Sequence, residues 1–382
     1  MPFRSVPAER ALATASAEID RLGLVPHAEV FDTTMRVTLS RGSQPVAVGA
    51  GKGAGAQGAA SAHFEALERY LMSARDNRRW AAFEVLASST VAEQPALAAD
   101  RVVQRWAAEF PSAMAACASY GGVRYPTFLA DPRYYRWPAP GDDVRPYRSL
   151  LRYSSSLGTA AGSDLDEAVY HGLCELIEHD GLGQALLRWY VSGVPDVDVV
   201  DLPAGLRPLH EQATRAAGSP VRLLDVTTDL DVPVYLAVSG AGGFGAGASI
   251  WATDAAERAL GELIQSCTLP SSASSSAVER LAGWPALQRC AAMPLDGLRS
   301  RSVPLRADPA GDGSPSWGLD QVRQALARRG VGFHVCEVAP VDSLIAVATT
   351  IAPGLERFSL VRHGVPVIPT GRGWHLWPAP VG

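Results

Sequence analysis

Apolar and polar positions recur with a helical period from about residue 7 to 22, which predicts an opening helix. The segments "HAEVFDTTMRVTLS" and "QPVAVGAG" then alternate with a period of two and predict strands. A glycine-rich stretch, "VGAGKGAGAQGAA", leads into a second helix from about Ala59 to Asp76. From about 100 to 150, many Pro and Tyr residues predict loops with short strands. A serine-rich turn, "YSSSLGTAAGS", precedes the helix that carries "HGLCELIEHD", with Ser163 as the expected N-cap and Asp164 and Asp166 at its positive end. The strand pair "VRLLDVTT" and "VPVYLAVSG" follows, then a third helix from about Thr253 to Gln265. "PSSASSSAV" (270–278) reads as a low-complexity loop. The remainder predicts an amphipathic helix near 318–329, strands such as "SLIAVATTIAP" and a Pro/Gly-rich tail, "GRGWHLWPAPVG". Since no Pro-rich linker divides the chain, one large mixed domain is expected over residues 1–382.

Three of these helices carry matching polar rows at i, i+4 and i+7, positions that stack on one face. The rows are Ser61, Glu65 and Glu68; His171, Glu175 and Glu178, with Glu167 one turn earlier; and Arg258, Glu262 and Gln265. Taken singly, each row suits the wet face of an amphipathic helix. An acid-x-x-acid or acid-x-x-amide step recurs in all three, however, flanked by small residues (Ala66, Gly172, Cys174, Gly261) that let helices approach closely. Rows that converge would put five or six carboxylates in one cavity, where they raise one another's pKa unless cations neutralise them. Hard divalent ions take oxygen ligands, and Mg²⁺ completes its shell with nucleotide phosphates. The implied chemistry is phosphoryl transfer.

Composition narrows the setting. The 382 residues are 47% hydrophobic and 19% charged, as in soluble globular proteins. A net charge of -5 gives no basic footprint for nucleic acid. Five scattered cysteines without a CxxC pair argue against a disulfide framework or zinc site and for a reducing cytoplasm. The N-terminus lacks the apolar core of a signal peptide. The uncharged run Val232 to Thr253 is broken by Pro and five glycines, so it reads as a strand and turn rather than a membrane span. Of 34 basic residues only Lys52 is lysine, and it lies in the glycine-rich stretch. That stretch fails the ordinary P-loop, with Val46 and Gly53 where Gly and Ser or Thr are needed. Lys52 is either a point charge for phosphate or an exposed side chain on a turn. His171 is expected as a hydrogen-bonded partner of the carboxylates or a proton carrier, and His179 as a helix C-terminal dipole partner. Trp374 and Trp377 are expected in the core or a subunit interface.

"GKG" with "SAHFEALERY", then "SSSLGTAAGSDLDEAVYHGLCELIEHD", then "PVYLAVSG" with "ERALGELIQS", resemble in order the signatures of the YcaO family. The resemblance is clear over about 45–270 and looser over 280–382. It implies an α+β fold of mixed sheets packed with helices, three of which converge their acidic rows on a nucleotide and Mg²⁺ site. It also implies ATP- and Mg²⁺-dependent activation of a backbone amide in a ribosomally made precursor peptide. A nucleophile adds to the carbonyl, its oxygen takes the γ-phosphate, and phosphate leaves. A Cys, Ser or Thr side chain then gives an azoline, the expected outcome. An external amine gives an amidine, as in bottromycin-type macroamidines, and sulfide gives a thioamide.

By the same resemblance Lys52, Ser61, Glu65, Glu68, Glu167, Glu175, Arg258 and Gln265 hold ATP, and Glu68, Glu175, Glu178 and Glu262 hold Mg²⁺. The family pattern is broken at Leu157, often Asn; at His179, often Arg; and at Cys267, often Arg. Phosphate contacts would then fall to Arg69 and Arg258. The tail keeps Pro378 and Pro380 only of the Pro-x-Pro-x-Pro ending of many azoline formers. No fused E1-like or leader-binding domain is expected, which leaves leader recognition or sulfur delivery to a separate partner protein, and a homodimer is expected. Two other readings are a non-catalytic YcaO-like scaffold that binds a peptide or partner, and a kinase-like or ATP-grasp ligase using Lys52.

Overall fold

A computed structural model describes residues 4–53, 55–73, 83–136, 138–142, 144–269 and 276–378. Helix α1 (Ala8–Arg21) buries Ala11, Ala15 and Ile19 and feeds an antiparallel meander, β1 (Val25–Phe31), β2 (Thr34–Arg41) and β3 (Gln44–Lys52). Helix α2 (Gly55–Leu71) follows at once, starting a turn before the expected Ala59; the residues beyond Ser73, up to the expected end at Asp76, lie outside the described set. A second small sheet pairs β4 (Glu84–Ala87), β5 (Met114–Tyr120) and β6 (Val123–Pro126). Between its first two strands lie α3 (Ser88–Ala92) and α4 (Arg101–Glu109). The latter corrects the reading of this region as loops with short strands. Asp100 caps α4 by accepting from the Val102 and Val103 amides, and Val102, Val103 and Trp106 form its buried stripe.

After the short α5 (Thr127–Ala130), strand β7 (Thr159–Gly162) leads directly into α6 (Leu165–Tyr190), the 26-residue helix at the centre of the molecule. Its N-cap is Asp164, not Ser163: the Asp164 carboxylate accepts from the Glu167 amide at 2.9 Å, while the Ser163 hydroxyl is buried without a partner. The largest sheet has the order β11-β10-β9-β8-β12, formed by β8 (Asp196–Asp201), β9 (Val221–Asp225), β10 (Val234–Ser239), β11 (Phe244–Ala248) and β12 (Arg299–Pro304). β8 and β12 run parallel, and the remaining pairs are antiparallel. Helix α7 (Arg207–Ala217) joins β8 to β9, and α8 (Ala252–Thr268) follows β11. Residues 270–275 of the serine-rich loop lie outside the described set, and Ser276 caps the short α9 (Ala277–Arg280). Helices α10 (Pro285–Ala292) and α11 (Pro315–Arg328) precede β13 (His334–Glu337) and β14 (Ala346–Ile351). These two strands complete a sheet of order β13-β14-β7.

The three polar rows therefore sit on α2, α6 and α8, each of which directly follows a strand. Glycines set how closely each helix packs. A Cβ on Gly51 of β3 would stand 1.8 Å from the Gly58 carbonyl oxygen of α2. One on Gly245 of β11 would stand 2.2 Å from the Leu263 amide of α8. The same holds where α6 meets the turn before β7, with a Gly172 Cβ 2.5 Å from the Gly158 carbonyl oxygen. At Gly51 the glycine richness around Lys52 thus serves strand–helix approach, while Gly53 and Gly55 take the positive φ of the turn between β3 and α2. Among the described residues no helix is long and apolar enough to cross a membrane; Val232 to Thr253 holds β10, β11 and the start of α8.

Candidate active site

Two adjoining cavities lie where α2, α6 and α8 meet, one of about 350 Å³ and one of about 700 Å³. Lys52, Ser61, Glu65, His171 and Arg258 line both. Glu68 lines the smaller, with Phe64, Ala160 and Leu209 as apolar wall. Glu175, Glu178, Glu262 and Gln265 line the larger. Glu167 lines neither: it is fully buried behind them.

The carboxylates are held from several sides. The Ala50 amide donates to Glu65 at 2.9 Å, and Arg69 pairs with the same side chain. The Gly158 amide donates to Glu175 at 2.9 Å. Lys52, at the end of β3, reaches Glu262 on α8 at 3.3 Å. Desolvation pushes Glu68, Glu175 and Glu178 up, and their neighbours push further. Glu68 is repelled by Glu175 and Glu65, while Glu178 is repelled by Glu262 and Glu175. The Glu175 carboxyl is raised to about 7, with the Gly158 hydrogen bond and Lys52 opposing that rise. A set of oxygen donors from three helices that repel one another across a cavity is what a hard cation relieves. Among the described residues no three His, Cys, Asp or Glu side chains stand close enough to enclose a metal ion by themselves.

Arg4 was not legible in the sequence as a site residue, because its partner is 163 residues away. Its guanidinium donates to Glu167 at 3.4 Å, the Ser5 amide donates to the same carboxylate at 3.1 Å, and Arg4 lies over the Phe64 ring. Burial alone would raise the Glu167 carboxyl; His171, Arg4 and the Ser5 amide outweigh it and hold it down at about 2. Arg258 donates to Asp254 at 2.9 Å and to His171 Nδ1 at 3.2 Å. An Nδ1 that accepts leaves the imidazole proton on Nε2, which stands 3.8 Å from Glu167. Burial keeps His171 neutral by lowering its pKa. His171 is thus the link between Glu167 and Arg258.

His179 is not at a helix C-terminus, because α6 runs on to Tyr190. It lines the larger cavity, and its Nδ1 pairs with the Ser359 hydroxyl at 2.8 Å. Burial lowers it to about 4. Cys267 is an exposed free thiol at the end of α8. Trp377 packs edge-on against Phe358, whereas Trp374 is 39% exposed and lies under Arg101.

A family model described as YcaO cyclodehydratase, ATP- and Mg²⁺-binding, matches residues 50–356. A YcaO protein from Methanopyrus kandleri bound with AMPPCP and Mg²⁺ superposes with a TM-score of 0.64 at 18% identity, covering 96% of both chains. A heterocyclase in complex with substrate and cofactor gives the same TM-score at 19% identity, over 92% of this chain and 53% of that one. The E. coli microcin synthetase McbBCD complex gives 0.55 at 13% identity, over 87% of this chain and 88% of that one. An uncharacterised protein from the tfuA 3′ region of Rhizobium leguminosarum bv. trifolii is 38% identical over 106 residues, 27% of this chain and 24% of that protein. The chain thus spans about half of the heterocyclase, and its match covers about a quarter of the Rhizobium protein.

Proposed function

The chain belongs to the YcaO family, and from that membership we propose that it spends ATP to activate a backbone amide of a ribosomally made peptide. The observation that carries this reading is the gathering of carboxylates from three separate helices, with Lys52, on one pair of cavities. The proposed product is an azoline formed by cyclodehydration of Cys, or of Ser or Thr. The side-chain heteroatom adds to the preceding carbonyl carbon, the carbonyl oxygen takes the γ-phosphoryl group, and inorganic phosphate leaves with that oxygen. One ATP is consumed per ring, and the amide nitrogen gives up its proton.

Mg²⁺, when bound, neutralises phosphate charge as it shifts between oxygens. The oxygen donors of Glu68, Glu175, Glu178 and Glu262 suit it, with no thiolate or imidazole needed. Mg²⁺ is commonly held by one or two carboxylates plus phosphate oxygens, so a ligand set completed by nucleotide agrees with carboxylates that do not close on a metal alone. Lys52 and Arg258 supply positive charge on both cavities, Arg4 on the smaller and Arg69 on the larger. Ser61, Glu65 and Gln265 offer hydrogen bonds to the nucleotide, and Phe64, Ala160 and Leu209 form an apolar wall for its base. Glu167 acts from behind, fixing Arg4 directly and Arg258 through His171.

The test is intact-mass analysis of short candidate precursor peptides from the neighbouring genes, incubated with protein, ATP and Mg²⁺, with ADP measured in parallel. Loss of one water per modified residue supports the azoline. Exchange of oxygen for sulfur would reassign the nucleophile to an external sulfide, and loss of water with a new crosslink to an amine would reassign it to an amidine. Absence of nucleotide binding and of any mass change would overturn the reading. A leader-binding or sulfur-delivery partner, and a homodimer, belong to the same proposal.

A further inference from the structure

Lys52 is the last residue of β3, and its aliphatic stem lies on α8, where a Cβ on Gly261 would stand 3.6 Å from the Lys52 Cβ and 3.7 Å from its Cδ. The ammonium at the end of that stem pairs with Glu262, whose Oε2 accepts from Lys52 Nζ at 3.3 Å and from the Ala246 amide at 3.4 Å. Burial pushes the Glu175 and Glu178 carboxyls up, and the Lys52 charge works against that rise at both. The other cations on the two cavities are engaged elsewhere: Arg69 by Glu65 and the Val48 carbonyl, Arg258 by Asp254 and His171, and Arg4 by Glu167. Among the described residues, Lys52 is thus the one cation hydrogen-bonded to any of Glu68, Glu175, Glu178 and Glu262, the carboxylates suited to Mg²⁺.

An ammonium on Glu262 and a divalent ion on the same carboxylates repel each other, so each weakens the hold of the other on the site. Lys52 also lines both cavities, and its charge rides on a flexible four-carbon stem that lets it turn from a carboxylate to a phosphate. We propose that Lys52 is a built-in counter-cation that makes metal entry depend on the nucleotide. It keeps Mg²⁺ alone off Glu262, and nucleotide phosphate draws the ammonium away and opens that ligand. The proposal rests on the ATP-using reading above and adds to it a coupling between the two ligands. Each then favours the other through one side chain, and linkage makes the effect reciprocal. The paired side chains are 36% and 37% exposed, so water screens them, and the coupling expected is about tenfold.

The experiment measures two affinities of the full chain: for Mn²⁺ without nucleotide, by electron paramagnetic resonance, and for a non-hydrolysable ATP analogue in chelator, by calorimetry. Mn²⁺ stands in for Mg²⁺ because carboxylates suit both ions. Lys52→Met should bind Mn²⁺ about tenfold tighter than the unaltered chain and the metal-free analogue about tenfold more weakly. Lys52→Arg, which keeps the charge, should stay within about threefold of the parent on Mn²⁺. Because Lys52 is the only lysine in the chain, the same contrast can be drawn on folded, unaltered protein. Acetylation should tighten Mn²⁺ binding as Lys52→Met does, and reductive methylation, which keeps the charge, should not; Lys52→Arg treated in parallel accounts for the N-terminal amine. Mn²⁺ binding that is unchanged or weaker once the Lys52 charge is removed by either route would overturn the proposal, as would analogue binding that does not weaken. Failure of the underlying reading looks different: the unaltered chain binds no analogue with or without metal, or binds it and alters no peptide.

Discussion

At the scale of single residues, the site is built against the stability of the fold. Glu68, Glu175 and Glu178 are half-buried at the cavity walls, where desolvation and neighbouring carboxylates push all three up, so their charged forms cost free energy whenever no cation is present. Glu178→Gln removes a repelling charge while keeping the shape. In chelator, its midpoint of thermal unfolding should lie a few degrees above that of the unaltered chain. With Mg²⁺ and a non-hydrolysable ATP analogue the order should reverse, because only the unaltered site gains ligand stabilisation. ATP turnover by the variant should fall by on the order of a hundredfold or more. Calorimetry with and without chelator checks the first two outcomes. A variant less stable than the parent in chelator would show that Glu178 is a structural carboxylate. These rows were legible because an i, i+4, i+7 repeat is a local property of the chain. The Asp164 cap was misassigned to its neighbour because two capping residue types adjoin, and only backbone geometry selects between them.

At the scale of elements, close strand–helix approach sets where the rows point, and glycine substitutions separate packing from ligand binding. Gly51→Ala places a methyl 1.8 Å from the Gly58 carbonyl oxygen, backbone against backbone, and should cost about 3 kcal/mol or more. Gly261→Ala, on α8 at the cavity wall, meets only the Lys52 side chain, at 3.6 Å. It should be tolerated and gain about 1 kcal/mol of helix propensity. Chemical denaturation of both variants distinguishes the two. Similar costs at the two positions would mean the glycine stripes do not set the packing. Helix α1 adds a pH-sensitive joint. Burial by itself would raise the Glu18 carboxyl, but donation from Arg21, the Leu344 amide and the Ser343 hydroxyl outweighs it and holds the pKa below 4.5. A depressed carboxylate stabilises the fold above its unfolded pKa and loses that contribution as pH falls through the folded value. Glu18→Gln should therefore destabilise at neutral pH, with the difference from the parent shrinking towards zero in acid below 4.5. Melting curves across that range test it; a difference that persists unchanged in acid would refute the charge argument. Helix α4 was missed for a related reason. Its Asp100 cap and Val102, Val103 and Trp106 stripe form a signal of only nine residues among Pro- and Tyr-rich neighbours.

At the scale of the whole molecule, the site depends on contacts that no local pattern announces. Arg4 and Ser5 close on Glu167, β7 pairs with β14, and Ser359 reaches His179 across 180 positions. Such pairings are properties of the folded chain, which is why Arg4 and Ser359 were not legible while the acidic rows were. The tightest of these closures is Glu356, which is 1% exposed. One carboxylate oxygen accepts from the Arg357, Phe358 and Thr370 amides, and the other from the Gly371 and Gly373 amides. The Glu356 amide in turn donates to Asp180 on α6, which also pairs with Arg372. This nest fixes the C-terminal segment and, through residues 357–359, both Arg357 and the hydroxyl that orients His179. Glu356→Gln keeps the size but sets an NH₂ group against at least two backbone N–H groups, whichever way the amide turns. Unsatisfied buried groups in such numbers should cost about 3 kcal/mol or more. The loss should appear first as faster amide exchange over residues 356–373, and only later at the β3–α2 side of the two cavities. Hydrogen-exchange mass spectrometry resolves that order. Equal protection of residues 356–373 in parent and variant would show that the nest is not what holds the end of the chain against the site.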